Sequence, residues 1–230
     1  MGNIEKNWRY ERKFVVEDLT FGQVEDFILG NSYLFKEIYN VRQVNNIYFD
    51  DIQNTAYYSN IEGLSERKKY RIRWYGELLG EIKNSVLEAK VKNATLGTKF
   101  HFNINAFIMK RRFDPNIFNN IFKESDLADD ICSELLTLAP ALVNSYQRKY
   151  YMSHNGLYRV TIDRDISYYY VSPNISHVLT KSDHEGIVIE IKYAYENDNC
   201  LDKLTNQFPF RLGRNSKYVQ GVSTINDLLY

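Results

Sequence analysis

The stretch Arg67-Lys68-Lys69-Tyr70-Arg71-Ile72-Arg73-Trp74-Tyr75 decides the fold. In an extended chain successive side chains point to opposite sides. Lys69, Arg71 and Arg73 therefore share one face, and Tyr70, Ile72 and Trp74 share the other. This is a strand with a cationic side and an apolar side. Working outward, the same alternation recurs. In residues 85–93, Glu88, Lys90 and Lys92 oppose Leu87, Ala89 and Val91. In residues 9–17, Glu11 and Lys13 oppose Tyr10, Phe14 and Val16. In residues 187–195, Glu190 and Lys192 oppose Ile189, Ile191 and Tyr193, and in residues 158–163, Arg159, Thr161 and Asp163 oppose Val160 and Ile162.

A sheet with one solvated face alternates in the same way, so a single charged face carries little information. Three features set this group apart. Glu-x-Lys recurs at Glu11/Lys13, Glu88/Lys90 and Glu190/Lys192, which puts a carboxylate and an ammonium about 7 Å apart on one face. Arg71 and Arg73 are paired at the same interval, and a guanidinium suits bidentate contact with phosphate oxygens. The balancing acidic residues fall largely in helical segments, as with Asp126, Asp129, Asp130 and Glu134. The strands keep a local surplus of positive charge.

Further period-two segments at 44–50, 98–103 and 145–153 complete the predicted strands. Helices are expected at 20–29, opened by a capping Thr20 and stopped at Gly30, and at 105–110, 116–122, 126–138 and 198–208. The order is strands, a helical insertion, then strands again, an α+β arrangement. No linker or repeat marks a boundary, so residues 1–230 read as one domain.

Composition narrows the chemistry. The 29 basic and 29 acidic side chains cancel, so no overall field recruits duplex nucleic acid, and any anion site is local. The chain has no run of about 20 apolar residues and no signal-peptide h-region at Met1 to Lys6, which gives a cytoplasmic expectation. Cys132 and Cys200 lack metal-ligand spacing and read as buried free thiols. His101, His154, His177 and His184 show no ligand motif and read as surface residues. There is no P-loop, no dinucleotide-binding glycine motif and no nucleophile elbow.

If the strands close into a barrel, their charged faces converge. Cations gathered in such an interior repel one another until an anion of high charge density joins them. A phosphate chain fits that description, and the interspersed glutamates can hold Mg²⁺ or Mn²⁺ against it.

The segments Tyr10-Glu11-Arg12-Lys13-Phe14, Tyr70-Arg71-Ile72-Arg73-Trp74-Tyr75-Gly76, Leu87-Glu88-Ala89-Lys90, Tyr146-Gln147-Arg148-Lys149-Tyr150, Arg159-Val160-Thr161-Ile162-Asp163, Ile189-Glu190-Ile191-Lys192 and Ser216-Lys217-Tyr218 carry a family resemblance. In order, and over nearly all of residues 9–222, the chain resembles the catalytic domain of the vacuolar transporter chaperone polyphosphate polymerases, within the triphosphate tunnel metalloenzymes. The resemblance implies an antiparallel β-barrel forming a triphosphate tunnel, with peripheral helices. It implies an enzyme that takes ATP or another triphosphate and extends or carries polyphosphate with Mn²⁺ or Mg²⁺. Lys13, Arg71, Arg73, Lys90, Arg148, Arg159 and Lys217 would contact phosphate. Lys99, Tyr146, Lys192 and Ser216 would support binding, and Glu190 would be the metal ligand. Glu11-Arg12-Lys13 carries fewer glutamates than the first strand of many hydrolytic tunnel enzymes, which reduces its metal capacity. Arg214 would supply the second basic residue near the Ser-Lys pair. Moving product across a membrane would require a membrane protein supplied by another chain. Hydrolysis of triphosphate and a catalytically silent polyphosphate-binding scaffold are the alternatives.

Overall fold

The computed structural model describes residues 9–93, 96–114, 116–171, 179–184 and 186–229. The chain begins with β1 (Arg9–Val16), α1 (Phe21–Leu29), β2 (Lys36–Asp50), α2 (Thr55–Ile61), β3 (Glu66–Tyr75), β4 (Gly80–Ile82), β5 (Val86–Asn93), β6 (Leu96–Asn103) and β7 (Phe107–Met109). It continues with α3 (Asn116–Glu124), α4 (Asp129–Leu135), β8 (Ala139–Met152), β9 (Tyr158–Val171), β10 (Leu179–His184) and β11 (Ile187–Ala194). A 3₁₀ turn (Tyr195–Cys200), α5 (Leu201–Thr205), the short β12 (Leu212–Gly213) and α6 (Lys217–Leu229) follow.

The architecture is α+β, with a large antiparallel sheet ordered β10-β9-β11-β1-β6-β5-β3-β2-β8. β8 also pairs with β9, from Leu142 opposite Tyr170 to Met152 opposite Arg159, so the run of pairings returns to β9. Between β1 and β6 the pairing among the described residues sets Arg9 opposite Gly97. Asp165, at φ 51°, lies where the β8–β9 register shifts. The extra residue changes the phase of β9, so Ile166 and Tyr168 join a cluster with Leu142 and Tyr146 of β8. Beyond the bulge β9 leaves β11 and pairs with β10.

The apolar faces of the strands pack outward against helices. Tyr70, Ile72, Trp74, Leu87 and Ala89 meet Phe118, Ile121 and Phe122 of α3 and Leu135 of α4. Phe14, Val160, Ile162, Ile189 and Ile191 meet Val24 and Ile28 of α1 and Leu201 and Leu204 of α5. α1 opens as expected, with Thr20 and Gln23 forming a capping box. α6 is different, because it packs on Leu142, Ile166 and Tyr168 through Tyr218 and Ile225. Gly221 permits this close approach: a Cβ there would come within 2.5 Å of both Leu142 and Tyr168.

Several local expectations are corrected. Residues 105–110 do not form a helix. Phe107 and Met109 are buried and Ile108 is exposed, a period-two pattern, and β7 pairs with β4. The helix expected at 126–138 is confined to α4, and the one expected at 198–208 divides into the 3₁₀ turn and α5. β2, β8 and β9 are longer than expected, and α2, β10 and α6 were not anticipated. Cys132 is half-buried, with its Sγ 3.6 Å from the Phe122 carbonyl oxygen. His101 and His154 are exposed, His184 is half-buried, and His177 lies outside the described residues.

Candidate active site

The inward faces of the strands carry three carboxylate-centred clusters. The first surrounds Glu88 on β5. Arg71, directly opposite on β3, reaches Glu88 Oε2 with Nε at 2.7 Å and Nη2 at 2.5 Å. Arg73 Nη1 lies 3.1 Å from Oε1, Lys99 Nζ 3.6 Å from Oε2 and His101 Nε2 3.4 Å from Oε1. Burial pushes the Glu88 carboxyl up, but the charges of Arg71 and Lys99 outweigh it and hold the group at about 2. Arg71 also donates to the Tyr48 hydroxyl, and Arg73 Nε donates to Asn46 Oδ1. Asn46 in turn donates to Asn144 Oδ1 at 2.8 Å, while the buried Asn144 Nδ2 has no partner among the described residues.

The second cluster joins β1, β5 and β11. Glu190 accepts from Lys192 at 2.7 Å and faces Lys13 at 3.9 Å, and Lys90 donates to Glu11 at 2.9 Å. Burial and the nearby Glu190 raise the Glu11 carboxyl, yet Lys90, Lys13 and Lys192 bring it down to about 2. Glu190 is held well below the usual range against its burial, chiefly by Lys192, Lys13 and Arg148. Lys13 is lowered to about 8 by burial, with Glu190 opposing and Lys90 adding to the shift.

Asp163 on β9 anchors the third. Arg148, opposite it on β8, makes two bonds to its oxygens, at 2.5 and 2.6 Å, and Lys217 makes a third at 2.5 Å. Tyr146 backs this group. Its buried ring lies under the Arg148 guanidinium at 5.2 Å and the Lys217 ammonium at 4.7 Å.

Lys69 links the clusters to α6. It donates to the Ser216 hydroxyl at 3.2 Å and sits over the Tyr218 ring. Burial, then Lys90 and Arg67, lower its ammonium to about 7. Lys99 is lowered to about 7 by burial and then by Arg71.

The site residues expected from sequence thus fall on one surface. Lys13, Arg71, Arg73, Lys90, Lys99, Arg148, Lys192 and Lys217 enter ion pairs on it, and Glu190 lies among them. Arg159 stands opposite Lys192 in register and is half-buried. Ser216 reaches the surface through Lys69 rather than as a free hydroxyl. Sequence reading did not single out Lys69, Asp163, Asn46, Asn144 or Arg42. Lys69 and Asp163 already stood on the charged faces, and that position was the available signal. The asparagines carry no charge and alternate with apolar neighbours, so nothing in the sequence marks them. Among the described residues no group of three or more His, Cys, Asp and Glu gathers as a ready metal centre. Nor is any described helix long and apolar enough to cross a membrane.

Comparison with known proteins gives the family and the fold. The family model for the VTC domain matches residues 8–226. A search of curated proteins finds no match. Among solved structures, the PH1819 protein of Pyrococcus horikoshii is similar at TM-score 0.50 and 13% identity, covering 94% of this chain and 99% of its own. A Vibrio parahaemolyticus protein named as an adenylate cyclase matches at TM-score 0.50 and 11% identity, over 93% of this chain and 98% of that one. A Hippeastrum protein named as an adenylyl cyclase, with a dominant triphosphatase activity, matches at TM-score 0.53 and 12% identity, covering 94% and 95%.

Proposed function

This chain belongs to the VTC domain family, and on that premise we propose that its inward charged surface is a tunnel that binds a nucleoside triphosphate and a polyphosphate chain and transfers phosphoryl groups between them. The observation that carries this reading is the crowding of Lys13, Lys69, Lys90 and Lys99 beside Arg71, Arg73 and Arg148. Three of these ammonium groups, those of Lys13, Lys69 and Lys99, are pushed down toward neutrality, so an entering polyanion relieves their mutual repulsion. Arg71, Arg73, Arg148 and Arg159 would fork onto phosphate oxygens, with Lys13, Lys90 and Lys217 supplying point charges. Asn144 Nδ2 and Thr161 Oγ1, the latter opposite Glu190 in register, have no hydrogen-bond partner among the described residues and are further polar atoms suited to bound oxygens.

The donor set fits a divalent ion carried in by the phosphates. Glu190, near enough to Glu11 to push that carboxyl up, offers with it one or two hard carboxylates, and Mg²⁺ or Mn²⁺ usually takes that number plus phosphate and water. When bound, the ion would neutralise charge on the phosphates during transfer. The chain's own side chains hold the reacting groups in line. A terminal phosphate oxygen attacks the γ-phosphorus, the bond to the β-bridging oxygen breaks, and the nucleoside diphosphate leaves. No protein nucleophile is required, because phosphoryl transfer rests on positioning and charge stabilisation.

Incubating the protein with ATP and Mn²⁺ and resolving the products on a gel tests this reading. A ladder of long-chain polyphosphate is expected. A second reading, hydrolysis of triphosphate to free phosphate, is favoured by the triphosphatase activity of the Hippeastrum structure that shares the fold. Free phosphate without a ladder would establish hydrolysis. Tight binding with neither product would leave a polyphosphate-binding scaffold, whose membrane partner, if any, would be another chain.

A further inference from the structure

Two of the arginine strands carry a tyrosine at the same spacing. On β3, Arg71 and Arg73 are followed on the same face by Tyr75. On β8, Tyr146 and Arg148 are followed by Tyr150. Between these tyrosines stands Arg42 of β2, opposite Arg148 in register. Its guanidinium lies 4.3 Å from the centroid of the Tyr39 ring and 5.5 Å from those of both Tyr75 and Tyr150. Tyr39 and Tyr150 meet edge to face at 5.5 Å. No carboxylate pairs with Arg42 among the described residues, in contrast to Arg71, Arg73 and Arg148.

Two features make this a site rather than packing. Tyr39 is 45% exposed and Tyr75 is 49% exposed, so ring surface is left open. The cluster also lies at the opposite end of β2 and β8 from Leu142 and Tyr48, the end that α6 covers. Arg73 and Tyr75 are about 7 Å apart along one face, as are Arg148 and Tyr150. A planar group attached to the end of a phosphate chain held by Arg73 and Arg148 falls among these rings. Phosphate alone gains nothing from exposed aromatic faces, whereas a nucleobase stacks on aromatic rings and on a guanidinium plane alike.

We infer that Tyr39, Arg42 and Tyr75 form a base-stacking platform that seats the nucleobase of an incoming nucleoside triphosphate at the end of the charged surface away from α6. The inference rests on the triphosphate reading above and adds the choice of nucleotide over inorganic triphosphate. A base held by stacking alone gives a preference for purine over pyrimidine without a strict choice between purines.

Calorimetric titration with ATP, UTP and inorganic triphosphate tests it. The intact protein should bind ATP about tenfold more tightly than inorganic triphosphate. Tyr75→Ala should abolish that difference while leaving inorganic triphosphate binding unchanged, and Tyr75→Phe should restore it. Tyr39→Ala, at an equally open position, is the second variant and should act in the same direction. Equal affinities for ATP and inorganic triphosphate in the intact protein would overturn the platform and leave the phosphate reading standing. Equal weakening of both ligands by Tyr75→Ala would do the same, reducing the cluster to a structural cage around Arg42. Failure of inorganic triphosphate to bind at all would instead bring down the phosphate reading.

Discussion

Asp163 and Glu190 stand on neighbouring strands and face the same interior, but their partners differ in kind. Asp163 is fully buried and closely compensated: Arg148 grips both of its oxygens, and Lys217 adds a third charge-assisted bond. Glu190 has one close partner, Lys192 at 2.7 Å. Its second oxygen faces Lys13 at 3.9 Å, and that ammonium is already donating to the Asn215 carbonyl at 2.9 Å. A buried carboxylate with cations close on both oxygens is already compensated, and these bonds hold β8, β9 and α6 together. A carboxylate with an oxygen to spare can meet something that arrives. On the function proposed above, the difference would separate a residue that keeps the site in shape from one that serves it.

The largest expected effects break this comparison directly. Asp163→Asn leaves Arg148 and Lys217 buried without a countercharge and should cost about 3–5 kcal/mol, read as a lower urea midpoint. Glu190→Gln should cost under about 2 kcal/mol but reduce metal-dependent turnover roughly a hundredfold. Inorganic triphosphate should recover part of the stability that Asp163→Asn loses, because an anion takes the place of the carboxylate. If Glu190→Gln unfolds the protein while Asp163→Asn leaves the urea midpoint in place, the assignments are reversed.

Much of this was legible in the sequence, and the rest was hidden for physical reasons. The alternation in residues 67–75 placed Arg71 and Arg73 on the inner face, and both now pair with Glu88. The same rule placed Lys13, Lys90, Glu190 and Lys192. It could not separate Asp163 from Glu190, since both follow the same pattern and their difference lies in partners far along the chain, Lys217 above all. Nor could it find α6, because Lys217 pairs with Asp163 while the rest of the helix covers apolar rings of β8 and β9. The misread segment at 105–110 was short enough for helical and period-two patterns to overlap, and pairing with β4 decided between them. Arg42 was missed because its partners are rings, which leave no charge pattern to read.

A smaller effect sharpens the comparison through pH. Lys69 and Lys99 are lowered to about 7 and Lys13 to about 8, from an ordinary value of 10.5, with burial the leading cause. Between those values and 10.5 the unfolded chain binds more protons than the folded one, so stability from these groups rises with pH over that interval. Bound triphosphate favours the protonated lysines, so its affinity should fall over the same interval. Denaturation and binding measured from pH 6.5 to 9.5 should therefore slope in opposite directions. Parallel slopes would show that these lysines do not face the ligand. On the acid side, Glu88 and Glu11 sit at about 2, below their ordinary 4.5. Their contribution is present above 4.5 and is lost as pH falls toward 2.

The smallest effect comes from removing the partner of Glu190 rather than Glu190 itself. Lys192→Met keeps most of the side-chain length and deletes the charge. If the pair with Lys192 is the whole reason for Glu190, the variant strands a buried carboxylate and no added ion repairs it. If Glu190 is a metal ligand, Lys192 is a competitor for its oxygen. The field of Lys13, Arg148 and Lys90, which also holds the carboxyl low, remains to limit the loss. The expected outcome is a loss of about 1 kcal/mol without metal. Adding Mn²⁺ and inorganic triphosphate together should close that gap, and the apparent Mn²⁺ affinity should rise a few-fold over the intact protein. Thermal melts with and without the ion, at fixed triphosphate, measure both quantities. A loss that Mn²⁺ leaves untouched would make Glu190 a structural partner of Lys192, and Glu11, beside Lys90 on β1, would then be the carboxylate to test for the ion.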